Sequence, residues 1–317
     1  MYHEVLPLMR DLMEEFGDDS ESLWAQCYDY EPYDRIVLED LRGLGYKMLD
    51  RRKPVTREHA SVVMKALGKF HAMSVVLKER DKLNTIDFKE SIHTSGIEHV
   101  QSYHNVALIT MAEAIKDNWG DEWSSYPNVL RNLVDTTIPK LAEDFKLDPK
   151  GFNVLNHGDC WRNNIMFKHI NDEDVPTGVR FVDFQMCYYS TYIYDLQYFV
   201  TSSLTPQVRD DHLDTLLEDY RKSVVLWLTR MGRHTDDVPT PQKIREDFDK
   251  SLHLALIMAA TNLTFMIPPK EQRPNFVQFV RQMPRKAVKL STKTYSGPLY
   301  RQRAEYILKL CKDAGVI

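Results

Sequence analysis

The chain has 317 residues, 43% of them hydrophobic, and a formal net charge of −5. That length suits one large domain or two smaller ones, and the negative balance leaves no basic footprint for nucleic acid. Its four cysteines, at 27, 160, 187 and 311, show no Cys-x-x-Cys spacing, which predicts free thiols in a reducing, cytoplasmic setting rather than a zinc site or a disulfide framework.

In chain order, residues 5–17 set Leu6, Leu8, Met9, Leu12, Met13 and Phe16 at helical spacing, with Gly17 as the stop. The first seven residues lack the basic and apolar runs of a signal peptide. Two strand-like runs follow, 23–28 and 35–38, with a turn composition between them. Glu39-Asp40-Leu41 then leads into Arg42-Gly43-Leu44-Gly45-Tyr46, a break in regular structure. A helix, a hairpin and a glycine-containing connector fit the end of a kinase small lobe and its hinge, and fit any β-hairpin equally well. From Thr56, a plausible cap, the pattern turns helical over 60–78, then over 98–119 and 128–145. His71 in the first of these is expected to be a packed, hydrogen-bonded helix residue.

Beyond residue 206 the chain again reads as helical. The spans are 207–232, capped by Thr205-Pro206; 241–265, capped by Thr240; 274–289, interrupted by Pro284; and 298–314. The apolar stretch 252–267 holds His253, Thr261, Asn262 and Thr264. It is too short and polar to span a bilayer, so a buried helix is expected and no membrane partner. Arg281, Arg285, Lys286 and Lys289 are expected to form a solvated basic face.

The middle of the chain carries the chemistry. Asn156-His157-Gly158-Asp159-Cys160-Trp161-Arg162-Asn163-Asn164 is a polar loop between apolar runs, and Val179 to Gln185 ends in Asp183-Phe184-Gln185. Turn residues fill 171–178, so the strands beginning at 165 and 179 should fold back as an antiparallel hairpin. Such a hairpin sets Asn164 beside Asp183, two oxygen ligands suited to a hard cation that shares phosphate oxygens. Asp159, five residues before Asn164, can then accept a proton from a hydroxyl or orient it. Phosphoryl transfer of the kinase type needs this set. Cys160 reads as a small filler residue. Asp195 lies in the aromatic run 186–196, where an unpaired carboxylate is costly; it either caps a following helix at 196–203 or accepts hydrogen bonds from the loop backbone. Trp119, Trp123 and Trp227 would suit an apolar acceptor pocket.

The segments His157 to Phe167, Val182 to Gln185 and Asp195-Leu196-Gln197-Tyr198-Phe199 together resemble the ecdysteroid kinase-like (choline-kinase-like) proteins of arthropods, as do Ile36 to Leu41 and Lys69 to Ser74. The resemblance implies an α+β, protein-kinase-like fold, with a small β lobe and hinge over 1–41 and a large, mostly helical lobe over 42–317. It implies ATP and Mg2+ as cofactors and a small-molecule hydroxyl acceptor, of ecdysteroid or xenobiotic class. Asp159 is then the catalytic base or orienting residue, Asn164 and Asp183 the metal ligands, and Glu39, Asp40 and Leu41 the adenine hinge through their backbone. His157 and Asp195 support the loop.

The sequence departs from the family pattern at its start. Nothing before Leu23 offers the phosphate-covering loop or the strand lysine, so a truncated small lobe is expected, with weakened or absent kinase activity. Tyr188 and Tyr192 stand where relatives often have Arg and Pro. A non-catalytic, pseudokinase-like protein that binds a small molecule is the competing expectation. A protein kinase is disfavoured, because no Ala-Pro-Glu-type segment follows Asp183.

Overall fold

Apolar spacing sets the first element: α1, Val5–Glu15, buries Val5, Leu6, Met9, Leu12 and Met13. The computed structural model describes residues 1–32, 34–50, 54–89, 91, 98–170, 175–267 and 290–317. The first half of the predicted turn at 171–178, the predicted helix at 274–289 and the basic cluster Arg281, Arg285, Lys286 and Lys289 lie outside them. The chain divides into two compact units, Met1–Ser91 with Leu147–Asp247, and Ile92–Lys146 with Phe248–Ile317.

The first unit holds the described strands: β1 (Cys27–Glu31), β2 (Arg35–Leu38), β3 (Tyr46–Met48), β4 (Asn153–Asn156), β5 (Ile165–His169), β6 (Pro176–Phe181) and β7 (Tyr188–Thr191). β1 and β2 form an antiparallel ribbon, almost every residue of which is exposed. Its first strand starts later than the pattern predicts. Leu23, Trp24 and Ala25 are buried instead. The Phe181 N–H donates to the Leu23 carbonyl at 2.7 Å, and Arg180 Nη1 donates to the Trp24 carbonyl at 2.8 Å. Burial against β6 claims these residues before the ribbon can.

β5 and β6 form the predicted hairpin, from Ile165 opposite Phe181 to His169 opposite Pro176. β3 adds to the other edge of β5. It falls where the sequence reads as an irregular connector, because three residues are too few to show alternation. β4 pairs antiparallel with β7. β7 is the aromatic run left without an element above; aromatic side chains suit a half-buried pleat.

Helix α2 (Arg57–Glu79) begins at Thr56, whose side chain accepts from the His59 N–H. Among the described helices it alone is long and apolar enough to cross a membrane, yet Val63, Met64, Leu67, Phe70 and Met73 are core residues of the unit. It packs along α7 (Pro206–Arg230), capped as predicted by Thr205 on the Val208 N–H at 3.3 Å. At Gly68 an added Cβ would meet Ser223 Cβ and the Tyr220 carbonyl at 2.7 Å, so the close approach requires glycine. Helix α6 (Ile193–Ser203) is buried throughout.

In the second unit, α3 (Glu98–Asn118) matches its predicted span. The single helix expected over 128–145 is two, α4 (Tyr126–Asn132) and α5 (Thr137–Asp144). The break centres on Asp135, at φ 71°, whose backbone N–H donates to Asn105 Oδ1 at 3.3 Å. The helix expected over 241–265 is three: α8 (Pro241–Lys250), most of it in the first unit, and α9 (Leu252–Ala260) and α10 (Leu263–Met266) in the second. The Ser251 and Thr261 hydroxyls take the Phe248 and Ile257 carbonyls at 2.7 and 2.6 Å at the two breaks. Helix α11 (Pro298–Asp313) closes the chain. Trp119 and Trp123 are core residues here, edge to face at 5.3 Å, and Trp119 donates to the Tyr295 carbonyl at 3.2 Å.

Candidate active site

The site is built from the loop after β4, the far end of the β5–β6 hairpin and the first turns of α6. Asp195, fully buried in the first turn of α6, anchors the loop. Its Oδ2 accepts from the His157 N–H at 2.6 Å and its Oδ1 from the Gly158 N–H at 3.0 Å. Its own N–H donates to Asn156 Oδ1 at 3.2 Å. Of the two placements open from sequence, the receiver of loop N–H groups is the one observed. His71 adds a third partner, with Nε2 3.2 Å from Asp195 Oδ2 and Nδ1 3.0 Å from the Tyr220 hydroxyl. Gly158 sits at φ 81°, and a Cβ there would lie 1.7 Å from the Met186 carbonyl oxygen. No side chain fits between the loop and the chain after Asp183.

His157 bridges the same gap. Its Nδ1 accepts from the Asp159 N–H at 3.3 Å, which leaves Nε2–H to donate to the Val182 carbonyl at 3.0 Å. That pairing uses a neutral imidazole, and burial pushes the His157 pKa down in the same sense. Phe184 packs against the His157 ring at 4.7 Å and Phe70 of α2 at 5.8 Å.

Asp159 is held at both oxygens. The Tyr198 hydroxyl donates to Oδ1 at 2.6 Å, and Asn164 Nδ2 donates to Oδ2 at 2.8 Å. Burial raises its pKa to about 6, against the opposing pull of those two hydrogen bonds. Because the Asn164 amide nitrogen faces Asp159, its Oδ1 is left as an acceptor. The hairpin carries Asn164 to the neighbour of Asp183: the Val182 N–H donates to the Asn164 carbonyl at 2.9 Å. Asp183 itself is exposed and left-handed, at φ 67° and ψ 59°, a conformation Asp tolerates better than most residues. Gln185 Nε2 donates to its Oδ2 at 3.3 Å. Tyr2 lies beside it; burial, reinforced by the Asp183 charge, raises the tyrosine pKa to about 12.

The segment Glu39-Asp40-Leu41 follows β2. The Glu39 N–H donates to the Gln26 carbonyl at 2.8 Å, and the Asp40 and Leu41 carbonyls accept turn bonds from Gly43 and Tyr46 at 3.1 and 3.0 Å. Asp40 pairs with Arg42 at 3.0 Å in full solvent. Leu41 is buried with Ala25 and Tyr46.

Sequence reasoning attached no role to Tyr198. The signal was its spacing: three residues after Asp195 it lies on the same helix face. Cys160 is buried, as a filler residue should be. Tyr192 donates to Asp247 Oδ2 at 2.9 Å and stacks on Tyr220, and Tyr188 packs edge-on against Tyr194. Trp227 lies under the Lys69 ammonium at 4.2 Å. These contacts give all three aromatics a packing role.

Residues 1–233 match the ecdysteroid kinase-like family. No curated protein sequence matches the chain. Among solved structures it is similar to a crystal structure of spectinomycin phosphotransferase in complex with ADP and spectinomycin. The two share 13% identity over 98% of this chain and 83% of that one, with a TM-score of 0.50. The fold is therefore α+β and kinase-like.

Proposed function

The chain belongs to the ecdysteroid kinase-like family, and from that premise we propose that it transfers the terminal phosphoryl group of ATP to a hydroxyl of a small molecule, of ecdysteroid or xenobiotic class. The observation that carries the reading is the convergence at the end of the hairpin. Asn164 is bonded through its side-chain N–H to Asp159 and through its backbone carbonyl to the Val182 N–H, one residue before Asp183. Three oxygen-bearing side chains from two chain segments thus share one corner of the fold.

The donor set fits magnesium. One exposed carboxylate and one amide oxygen, with phosphate oxygens and water completing the shell, suit this ion. Bound there by Asn164 and Asp183, it would neutralise charge on the transferring phosphate. Asp159 receives the acceptor's hydroxyl on a free lone pair, orients it and takes its proton as the oxygen attacks phosphorus. The adenine edge would meet the backbone of Glu39 to Leu41, where the Glu39 N–H and the Asp40 and Leu41 carbonyls are already engaged in local bonds. His157 and Asp195 keep the loop in shape. The spectinomycin phosphotransferase, crystallised with ADP and spectinomycin, offers a precedent for a nucleotide beside a second ligand on a similar fold.

The test is transfer from labelled ATP to a panel of hydroxylated sterols and plant metabolites, with a Mg-ATP thermal shift in parallel. Asp159→Asn should lower transfer by about 10²–10⁴-fold while the thermal shift persists. Asp183→Asn should abolish the magnesium-dependent part of the shift. A shift unchanged in Asp183→Asn removes the metal assignment. Acceptor binding with no labelled product would favour the non-catalytic reading.

A further inference from the structure

Resting on the proposed phosphotransfer, we propose that Tyr198 is a positioning residue for Asp159: its hydroxyl fixes the carboxylate in the one orientation that presents a free lone pair to the acceptor.

The geometry is local and specific. Tyr198 lies one turn after Asp195 on α6, so the helix that holds the start of the loop by its backbone also reaches the loop's acid. The 2.6 Å contact with Asp159 Oδ1 is in the range of charge-assisted O–H···O⁻ bonds. The opposite oxygen is bound by Asn164 at 2.8 Å. With one donor on each oxygen, the carboxylate cannot rotate without losing a bond, and each oxygen keeps a lone pair for another partner. The phenol is itself fixed. Its ring is buried, 2% exposed, and stacks on Tyr194 at 6.1 Å; the Tyr194 hydroxyl in turn bonds Ser91 Oγ at 2.7 Å.

A buried tyrosine needs some partner for its hydroxyl, so packing alone would explain a ring at this place. Packing does not explain why that partner is the acid placed to meet the acceptor. A phenylalanine would fill the same volume and leave Asp159 tied at one oxygen only. The expected consequence is a misdirected acid with an intact fold, and transfer is sensitive to misplacement on the scale of 1 Å.

The decisive comparison is Tyr198→Phe, alone and combined with Asp159→Asn, assayed with labelled ATP on the acceptor that the panel of sterols and plant metabolites identifies, together with crystal structures of wild type and Tyr198→Phe. Tyr198→Phe should lower kcat by on the order of 10- to 100-fold, with KM for Mg-ATP and the Mg-ATP thermal shift unchanged. In the Asp159→Asn background the same change should cost almost nothing, because the hydroxyl acts through that carboxylate. The variant crystal should show the Asp159 carboxylate turned. Retention of kcat within twofold, or an equal loss in both backgrounds, overturns the proposal. So does a Tyr198→Phe chain that fails to fold, since the hydroxyl would then serve the core. If wild type transfers no phosphate, the proposed function falls and the crystal comparison alone decides: an unturned Asp159 refutes the positioning role.

Discussion

The loop at 156–164 and the segment at 39–41 are both irregular and part of the same unit, yet the carboxylates that serve them live in opposite conditions. Asp195 and Asp159 are bound by donors 37 or more residues away in the chain, apart from Asn164, and lose most of their water. Asp40 bonds a side chain two residues away and stays in solvent. A buried charge held by several donors is costly to disturb, because each donor is stranded when the acceptor goes. An exposed pair competes with water and contributes little. The difference locates where this fold is specified: at the loop, and not at the ribbon and its connector.

The largest break in that comparison should come from Asp195→Ala. It strands the His157 and Gly158 N–H groups and removes the acceptor of His71, and should cost about 5 kcal/mol. Urea unfolding of the variant checks this; a change below about 1 kcal/mol would mean the loop is held by other means. Gly158→Ala comes next. The left-handed backbone and the overlap with the Met186 carbonyl should together cost about 3 kcal/mol, read as a lower midpoint with an unchanged slope.

His157 sharpens the comparison through pH. Its native pKa is depressed by burial, so below about pH 6.5 the unfolded chain binds a proton that the native one refuses. Stability is therefore present above that pH and lost as pH falls, by at most about 1.4 kcal/mol per pH unit for one proton. Protonation of Asp159, whose native pKa is raised to about 6, works in the opposite direction at lower pH, so the His157 contribution is read as a difference. In melting curves between pH 7 and 5, His157→Gln, which cannot take up the proton, should lose less stability than wild type as pH falls. The smallest effect belongs to the connector: Arg42→Ala should leave the melting temperature unchanged, since both partners are fully solvated.

Much of the candidate site was legible because its signals are local. The strand runs around a turn at 171–178 predicted the hairpin, and the hairpin register carries Asn164 to the residue before Asp183. The caps Thr56 and Thr205 were equally readable, since one hydroxyl answers one exposed N–H. The misses share a cause. β3 and β7 exist because partners distant in sequence complete their hydrogen bonds. The helices broke at Asp135, Ser251 and Thr261 because side-chain hydrogen bonds there compete with the helical ladder. Tyr198 escaped notice because a tyrosine in an apolar helix looks like core until its hydroxyl has a named partner.

By itself the sequence determined the type and order of the chemistry-bearing residues, the hairpin between them and the faces of the long helices, all of which follow from spacing along the chain. Only the tertiary structure decided that Asp195 holds backbone N–H groups, that His157 bridges to Val182 and that Tyr198 meets Asp159. Each of those contacts joins residues 25 to 39 positions apart. Such pairs form only when packing has removed water and left each polar group to find its partners within the protein.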